Sequence, residues 1–310
     1  MLAYFIRRTL QFIPTIIGVT LIIFLLLNVL PGNAALMAGD SRREMDTKAI
    51  EELKRKWGLH LPVHVRYAKY MYGLLKGDMG TSYLRDEPVS DVIKERIWPT
   101  LRLAMYAMVI AVGIGIPLGF YSALRQGTWL DSLSMVGAVS GVSFPQFWLG
   151  LLLMYFLCVK ARLFPVTGYG DGAVINIILP AITLGLGYMA LLARTTRAAV
   201  LEILTEDYIR TARSKGISEF LVYNKHVLRN AMILILTTAG LQFGSMIGQT
   251  VVIEKLFSWP GIGSLVVDSI FQRDTPITQG CILIIILVFL VVNLLVDLTY
   301  SVIDPRIKYQ

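Results

Sequence analysis

Long apolar runs limit what this chain can fold into more than any other feature of its sequence. A helix needs about 20 apolar residues to cross roughly 30 Å of hydrocarbon. Six such runs occur, at about 9–30, 101–121, 133–159, 174–193, 231–253 and 277–300. Hydrophobic residues make up 55% of the 310 residues, and the mean hydropathy is +0.63. The sequence therefore predicts an all-α integral membrane protein with six transmembrane helices.

The spacing of these runs predicts three regions. The first run follows Arg7 and Arg8 and is longer than the apolar part of a cleavable signal, about 7 to 15 residues. We therefore expect residues 1–30 to form a retained N-terminal anchor helix. Residues 31–98 would form an extracytoplasmic loop subdomain, either a solvated connector or, as is usual for long loops, a functional surface that docks an external partner. Residues 99–310 would form a five-helix core.

Basic residues predict the orientation of the helices. With a cytoplasmic N-terminus, the inner side holds twelve Lys and Arg residues and the short outer loops hold four. Such an excess is typical of the cytoplasmic side. Both termini and the charged loop 201–230, between the fourth and fifth runs, would then be cytoplasmic. The net charge of +8 fits this distribution and does not require nucleic acid as a partner.

Enzyme signatures are absent from the sequence. There is no phosphate-binding loop, no H-E-x-x-H motif and no G-x-S-x-G motif. Cys158 and Cys281 lie in separate apolar runs, which predicts neither a disulfide framework nor a metal site. We expect no catalytic residues and no cofactor bound by this chain.

The loop 201–230 predicts two short helices separated by Gly216. Thr205 is a suitable N-cap for the first helix, and glycine commonly ends a helix because it adopts positive φ. Ser218 could cap the second helix, in which Phe220, Tyr223 and Val227 would share a face.

Two functions are possible for this loop. It could be a solvated, positively charged loop. Alternatively, Ile209 and Ala212 form a small apolar face that would fit a groove on another protein.

Several segments resemble the permease subunits of ATP-binding cassette (ABC) importers of the dipeptide and oligopeptide branch. They are EDYIRTARSKG…KHVLRNA, IRRTLQFIPTIIGVTLIIF…LPGN, LKGDMGTS, SFPQFWLGLLL, VVIEKLFSWPGIGSLVVDSIFQRDTP and DPRIKY. The broader importer motif begins Glu-Ala-Ala where this chain has Arg210, Thr211 and Ala212, and Arg229 replaces its later proline. The resemblance implies that a cytoplasmic coupling helix contacts an ATPase subunit through Glu206, Asp207, Tyr208, Ile209, Arg210, Thr211, Ala212, Arg213, Lys215 and Gly216.

The resemblance also implies a function and a set of partners. The chain would be a multi-pass permease of a prokaryotic cytoplasmic membrane that imports di- or oligopeptides; nickel chelates, glutathione or oligosaccharides are alternatives. Its partners would be a second, related permease, two ATPases carrying ATP and Mg, and an extracytoplasmic solute-binding protein. Rivals of another class are an ATP-independent channel or ion-coupled carrier, and a receptor or scaffold without transport.

The fifth run carries two patterns of small and polar residues. Gly240, Gly244 and Gly248 repeat at a spacing that allows close helix packing. Gln242, Ser245 and Gln249 fall on the opposite side, where they either line a water-filled cavity or bond to neighbouring helices.

Polar residues also interrupt two other runs. The third run is broken around Pro145, and Ser143 and Gln146 there are candidate pathway residues, although a packing kink is an alternative. In the sixth run, Asn293 and Asp297 favour a structural pairing over a proton relay.

Overall fold

The computed structural model describes residues 2–29 and 47–303 of the chain. Regular structure in these two ranges is helical, without strands, and an isolated bridge joins Thr81 to Pro88. The predicted all-α class is therefore confirmed. Part of the predicted outer loop and the C-terminal end lie outside the described residues.

Five helices of the described residues are long and apolar enough to cross a membrane. They cover Ile6–Asn28, Val89–Leu124, Val174–Leu204, Glu219–Leu256 and Thr275–Leu298. Each overlaps one of the predicted runs. The run at 133–159 is instead divided between two helices, so six continuous spanning helices are not present in the described part of the chain.

The second N-terminal helix packs against the predicted outer subdomain. Helix α1 (Leu2–Leu10) leads into α2 (Phe12–Val29), and the subdomain contains α3 (Thr47–Lys56) and α4 (Val63–Leu75). The ring centroids of Phe24 on α2 and Tyr67 on α4 are 5.3 Å apart. Packing against α2 thus holds this cysteine-free subdomain in place.

Two long helices form the centre of the core. They are α5 (Val89–Leu124) and α8 (Val174–Leu204). A Cβ atom at Gly119 would lie 2.2 Å from the carbonyl oxygen of Ala193. Small residues at such positions allow the two backbones to approach closely.

Helix α5 begins earlier than the apolar pattern predicts. Its first residue is Val89, which lies inside the predicted loop 31–98. Asp91 and Lys94 belong to its first turns and pair with each other at 2.9 Å. The apolar pattern did not predict this start because the first turns contain charged residues. A helix can continue beyond the hydrocarbon layer, where such residues are tolerated.

The predicted break in the third run is confirmed. Helix α6 (Trp129–Ser143) ends before Pro145, and α7 (Gln146–Leu153) begins after it. A π-helical segment, Met154–Lys160, continues α7. Proline suits this position because the N–H groups at the start of a helix have no intrahelical acceptor. The missing N–H of proline therefore costs no hydrogen bond there.

Of the two short helices predicted in the loop 201–230, the first is confirmed and the second is part of a longer helix. Helix α9 (Asp207–Ser214) is short, but the second helix continues without a stop into the fifth run. The joined helix is α10 (Glu219–Leu256), with a π-helical segment at Val222–Leu228. It is followed by α11 (Ile262–Phe271) and α12 (Thr275–Ile303).

Candidate coupling segment and translocation cavity

Helix α9 begins at a different cap from the predicted one. Glu206 occupies the N-cap position. Thr205 ends α8 instead, and its Oγ1 donates a hydrogen bond to the carbonyl oxygen of Glu202 at 2.7 Å. The hydroxyl of Thr205 is thus bonded within the preceding helix.

The C-terminal end of α9 confirms the predicted glycine stop. Gly216 has a φ of +75°. Its N–H donates to Arg213 O at 3.0 Å, and the N–H of Ile217 donates to Ala212 O at 3.3 Å. These two bonds form a Schellman motif, which satisfies the last carbonyl groups of the helix.

The apolar face of α9 is buried within the chain itself. Ile209 is 0% exposed and Ala212 is 6% exposed. Both belong to a buried cluster with Val200, Val222 and Val227, from α8 and α10. The hypothesis that Ile209 and Ala212 enter a groove of another protein is therefore wrong, because they attach α9 to the helices of its own chain.

The opposite face of α9 is polar and exposed. It carries the exposed side chains of Glu206, Asp207, Arg210, Thr211 and Lys215. Asp207 and Arg210 approach each other at 3.6 Å but remain mostly in solvent. A protein that binds α9 would therefore contact charged and polar groups.

Polar contacts tie α9 to the start of α10. The guanidinium of Arg213 donates two hydrogen bonds to the Glu219 carboxylate, at 2.9 and 3.3 Å. Asn230 Nδ2 donates to the Tyr208 hydroxyl at 3.2 Å. These contacts join α9 to the N-terminal part of α10.

The predicted apolar face at the start of α10 is only partly correct. Val227 is buried, whereas Phe220 is 73% exposed. Val222, which the pattern left out, is fully buried. The π-helical segment alters the helical period here, so α-helical spacing does not predict which side chains share a face.

An ion pair between α6 and α8 was not predicted from the sequence. Arg197 on α8 donates to Asp131 on α6 through Nε at 2.7 Å and Nη2 at 2.8 Å. Ser122 Oγ donates to the same carboxylate at 2.5 Å. These hydrogen bonds, from Arg197 first and then Ser122, hold the pKa of Asp131 well below its usual range. A sequence signal existed: Thr128 and Asp131 have capping-box spacing before an apolar run.

The glycines of α10 do not all serve the same purpose. A Cβ atom at Gly240 would lie 2.3 Å from Val296, and one at Gly244 would lie 3.2 Å from Phe289, both on α12. At Gly248 a Cβ atom would meet nothing within 4 Å. The predicted close packing thus holds for Gly240 and Gly244 and is wrong for Gly248.

Gly248 instead borders a cavity of about 540 Å³ among α6, α7, α8 and α10. This volume lies within the range of small-molecule sites, about 300 to 1,000 Å³. Side chains on its wall include Phe144, Gln146, Tyr188 and Gln249. Two of the predicted pathway residues, Gln146 and Gln249, therefore meet at one cavity.

The other three pathway candidates lie elsewhere. Gln242 is 5% exposed, and its side-chain amide makes no hydrogen bond with a described residue. Ser245 Oγ donates to Gln242 O at 2.9 Å. Ser143 is the exposed last residue of α6 and is not part of the cavity wall. Of the polar stripe of the fifth run, Gln249 lines the cavity, whereas Gln242 is buried and the Ser245 hydroxyl bonds within its own helix.

A structural partner for Asp297 lies on the N-terminal helix. Arg8 Nε is 2.8 Å from Asp297 Oδ2. This contact joins α1 to the end of α12, as a structural pairing predicts.

A second polar cluster fixes the loop between α10 and α11. Glu254 is fully buried and accepts a hydrogen bond from Thr100 Oγ1 at 2.6 Å and from the Ser264 N–H at 2.9 Å. A Cβ atom at Gly261 would lie 2.2 Å from the Glu254 carboxylate, so glycine provides the space that this carboxylate fills. Trp259 Nε1 donates to Pro99 O at 3.0 Å in the same cluster.

Candidate metal ligands do not gather in the described ranges, where no group of three or more His, Cys, Asp or Glu side chains could hold an ion.

Comparison with known families identifies the kind of protein that has this fold. The family described as "Binding-protein-dependent transport system inner membrane component" matches residues 115–309. The corresponding N-terminal family, "Binding-prot-dependent transport system membrane comp, N-term", matches residues 1–104. The chain belongs to this family of transport permeases. It is an inner-membrane permease subunit of an ABC importer and not an enzyme, because ATP hydrolysis in these systems belongs to a separate subunit.

Individual relatives of the permease cover its whole length. It is 43% identical to "Glutathione transport system permease protein GsiC" of Salmonella paratyphi A over 311 residues, with both chains covered in full. It is 44% identical to the protein of that name from Escherichia coli (strain K12), again with full coverage of both.

Solved structures support the fold. An inward-facing MetNI methionine ABC transporter chain matches with a TM-score of 0.57 at 18% identity, covering 69% of the permease and 96% of that chain. An amino acid ABC transporter crystallised with histidines matches with a TM-score of 0.51 at 17% identity, covering 70% and 95%.

Proposed function

We propose that this permease imports small peptides, with glutathione, itself a tripeptide, as the first candidate cargo. The observation that carries this proposal is the identity of 43 to 44% with relatives named as glutathione transport permeases, over the full length of both chains. The cavity of about 540 Å³ is large enough for a cargo of that size.

Uptake of labelled glutathione tests the choice of cargo. The complete transport system would be expressed in cells that lack their own glutathione importer, with and without this chain. We expect uptake that requires the chain and is reduced by excess unlabelled glutathione. Uptake of dipeptides or longer peptides but not glutathione would contradict the glutathione assignment and retain the peptide class.

In the proposed assembly, this chain pairs with a second, related permease and with two ATPase subunits that bind ATP and Mg. A solute-binding protein delivers cargo to the extracytoplasmic side. In this arrangement the third crossing along the chain is made by α6, α7 and the segment Met154–Lys160 together, which brings the total to six. Both termini are then cytoplasmic.

The exposed face of α9 is the proposed contact with an ATPase subunit. Its apolar residues are buried in the permease core. Its solvent-exposed face carries Asp207, Arg210 and Lys215, which a partner could contact. When the ATPases close on ATP, they would push α9, and the contacts of Arg213 and Tyr208 with α10 would carry that movement to the helix that borders the cavity.

Reconstitution distinguishes this function from an ATP-independent channel or ion-coupled carrier. We expect flux into proteoliposomes only when ATPase subunits, ATP and binding protein are present. Flux through the permease alone would favour the channel or carrier. A receptor or scaffold would instead give no cargo-dependent ATP turnover in the full complex.

A further inference from the structure

A second cavity, of about 470 Å³, lies in the outer part of the molecule. It is enclosed by α2, by α3 and α4, by the turn at 78–86 and by the first turns of α12. No lining residue is shared with the translocation cavity. The second cavity is therefore separate from the translocation cavity.

A buried amide without a partner lines this second cavity. Gln279 is 6% exposed, and its Nε2 donates to no residue in the described ranges. A buried N–H group without an acceptor carries a desolvation penalty that a ligand oxygen would remove. The position therefore suits a ligand that presents hydrogen-bond acceptors.

The charges around the cavity favour an anion. Lys56, Arg66 and Lys69 line it together with the carboxylates of Asp78 and Asp86. Lys56 pairs with Asp86 at 3.0 Å, and Asp78 accepts a hydrogen bond from a backbone N–H at 2.8 Å. Lys69 makes no ion pair within the described part of the chain. The lining residues thus carry one more positive charge than negative charge. The carboxylate of Asp274, which is not among them, is held by the Ser82 hydroxyl and the Tyr83 N–H.

The residues around the cavity are of the types that are common at a membrane interface. Phe24 comes from the outer half of the first spanning helix, and Arg66 lies 5.7 Å from the centroid of its ring. Trp57 and Tyr83 stack with their centroids 4.4 Å apart. Aromatic rings beside basic side chains, at the level where helices leave the hydrocarbon, are typical of the lipid headgroup region.

We propose that this cavity binds the phosphate of an anionic phospholipid. Gln279 Nε2 and Lys69 Nζ donate to the phosphate oxygens, and Arg66 adds positive charge. The acyl chains leave along the lipid-facing side of α2. With the orientation proposed above, the lipid belongs to the outer leaflet, where it joins the outer subdomain to the ends of α2 and α12.

Native mass spectrometry of the purified full-length permease tests this site. The protein would be titrated with phosphatidylglycerol and, separately, with phosphatidylcholine of the same acyl chains. We expect one tightly held phosphatidylglycerol. Lys69→Glu and Gln279→Glu should each weaken its binding by about tenfold, because they place negative charge beside the phosphate.

Matched controls make the same chemical change outside the cavity. Gln272→Glu alters an exposed glutamine at the end of α11, and Lys76→Glu alters a lysine at the end of α4, above the Tyr72 ring. Both should bind phosphatidylglycerol like the unmodified protein. Thermal melting confirms that each variant is folded, and Lys69 is exposed, so its replacement keeps the test informative if Gln279→Glu fails to fold.

Three results would overturn the proposal. Equal binding of the two lipids would remove the anionic preference. Unchanged affinity in Lys69→Glu would place the lipid elsewhere. Displacement of phosphatidylglycerol by millimolar sn-glycerol 3-phosphate would assign the cavity to a free phosphate compound. None of these results bears on cargo uptake, so the proposed transport function is tested independently.

Discussion

The backbone at Gly216 holds a conformation that side chains with a Cβ atom rarely adopt. Its φ is +75°, and nothing lies within 4 Å of the place a Cβ atom would take. A substitution there is penalised by backbone strain and not by collision. Because α9 is held to α10 on the far side of this turn, strain at Gly216 should change the direction in which α9 points.

We expect Gly216→Val to uncouple ATP hydrolysis from cargo. A β-branched residue at positive φ costs about 1 to 2 kcal/mol, which the spanning helices can absorb, so assembly should persist. The measurement is ATPase activity of the reconstituted complex with and without binding protein and cargo. Gly216→Asn is the matched control, since asparagine tolerates this conformation. Normal stimulation and uptake in Gly216→Val would contradict a role of α9 in coupling.

The ion pair between Asp131 and Arg197 should stabilise the fold. Asp131→Ala should lower the free energy of unfolding by about 1 to 3 kcal/mol, because it leaves a partly buried guanidinium without its partner. Thermal melting in detergent measures the loss. The double variant Asp131→Leu with Arg197→Met should recover much of the stability. A melting temperature unchanged in Asp131→Ala would contradict a structural role for the pair.

The pH dependence of this pair has a definite sign. The pKa of Asp131 is depressed in the folded state, so its contribution is complete above the ordinary aspartate pKa of about 4. The contribution is lost only as the pH falls below that value. Melting between pH 5 and pH 8 should therefore show no loss from this pair.

Single residues also show where sequence reasoning stops. Gly216 was predictable because few residues other than glycine suit its φ. Thr205 was not, because its hydroxyl could serve either the helix before it or the helix after it, and only the fold decides. The charges of Asp131 and Arg197 were visible, but their sequence separation of 66 concealed the contact.

At the scale of elements, α10 presents one glycine to a neighbouring helix and the next to a cavity. We expect Gly244→Leu to disturb the crossing with α12, since overpacking costs about 1 to 3 kcal/mol. Gly248→Leu, the same change one turn later, should leave folding intact and reduce cargo uptake by filling the cavity. Thermal melting and uptake, measured on both variants, separate the two effects. Equal melting losses in both variants would contradict this division.

Apolar runs predicted the spanning helices well, because burial in lipid depends on length and composition. They did not predict the N-terminal ends of helices that extend beyond the lipid. Helix α5 starts at Val89 and α10 at Glu219, both among charged residues. The period of a pattern also fails where the helix changes type, as the burial of Val222 beside exposed Phe220 shows.

In the whole molecule, two candidate contact surfaces lie at opposite ends of the spanning helices. One is the exposed face of α9, and the other is the exposed end of α4. Ile209 and Ala212 looked available to a partner because the sequence could not show that α8 and α10 already cover them. At the other end, Tyr67 lies against Phe24 on α2, whereas Lys76 is exposed. Which face remains free is a property of the assembled bundle.

Site-specific photo-cross-linking tests this arrangement of surfaces. A photoreactive residue in place of Lys76, at the exposed end of α4, should capture the solute-binding protein. One in place of Lys215, at the exposed end of α9, should capture an ATPase subunit. Tyr67 serves as the matched outer control, because a probe packed against α2 should react within the chain. Capture of the ATPase from position 76, or of the binding protein from position 215, would require the opposite orientation in the membrane. Failure of both probes in an actively transporting complex would show that neither surface is a docking site.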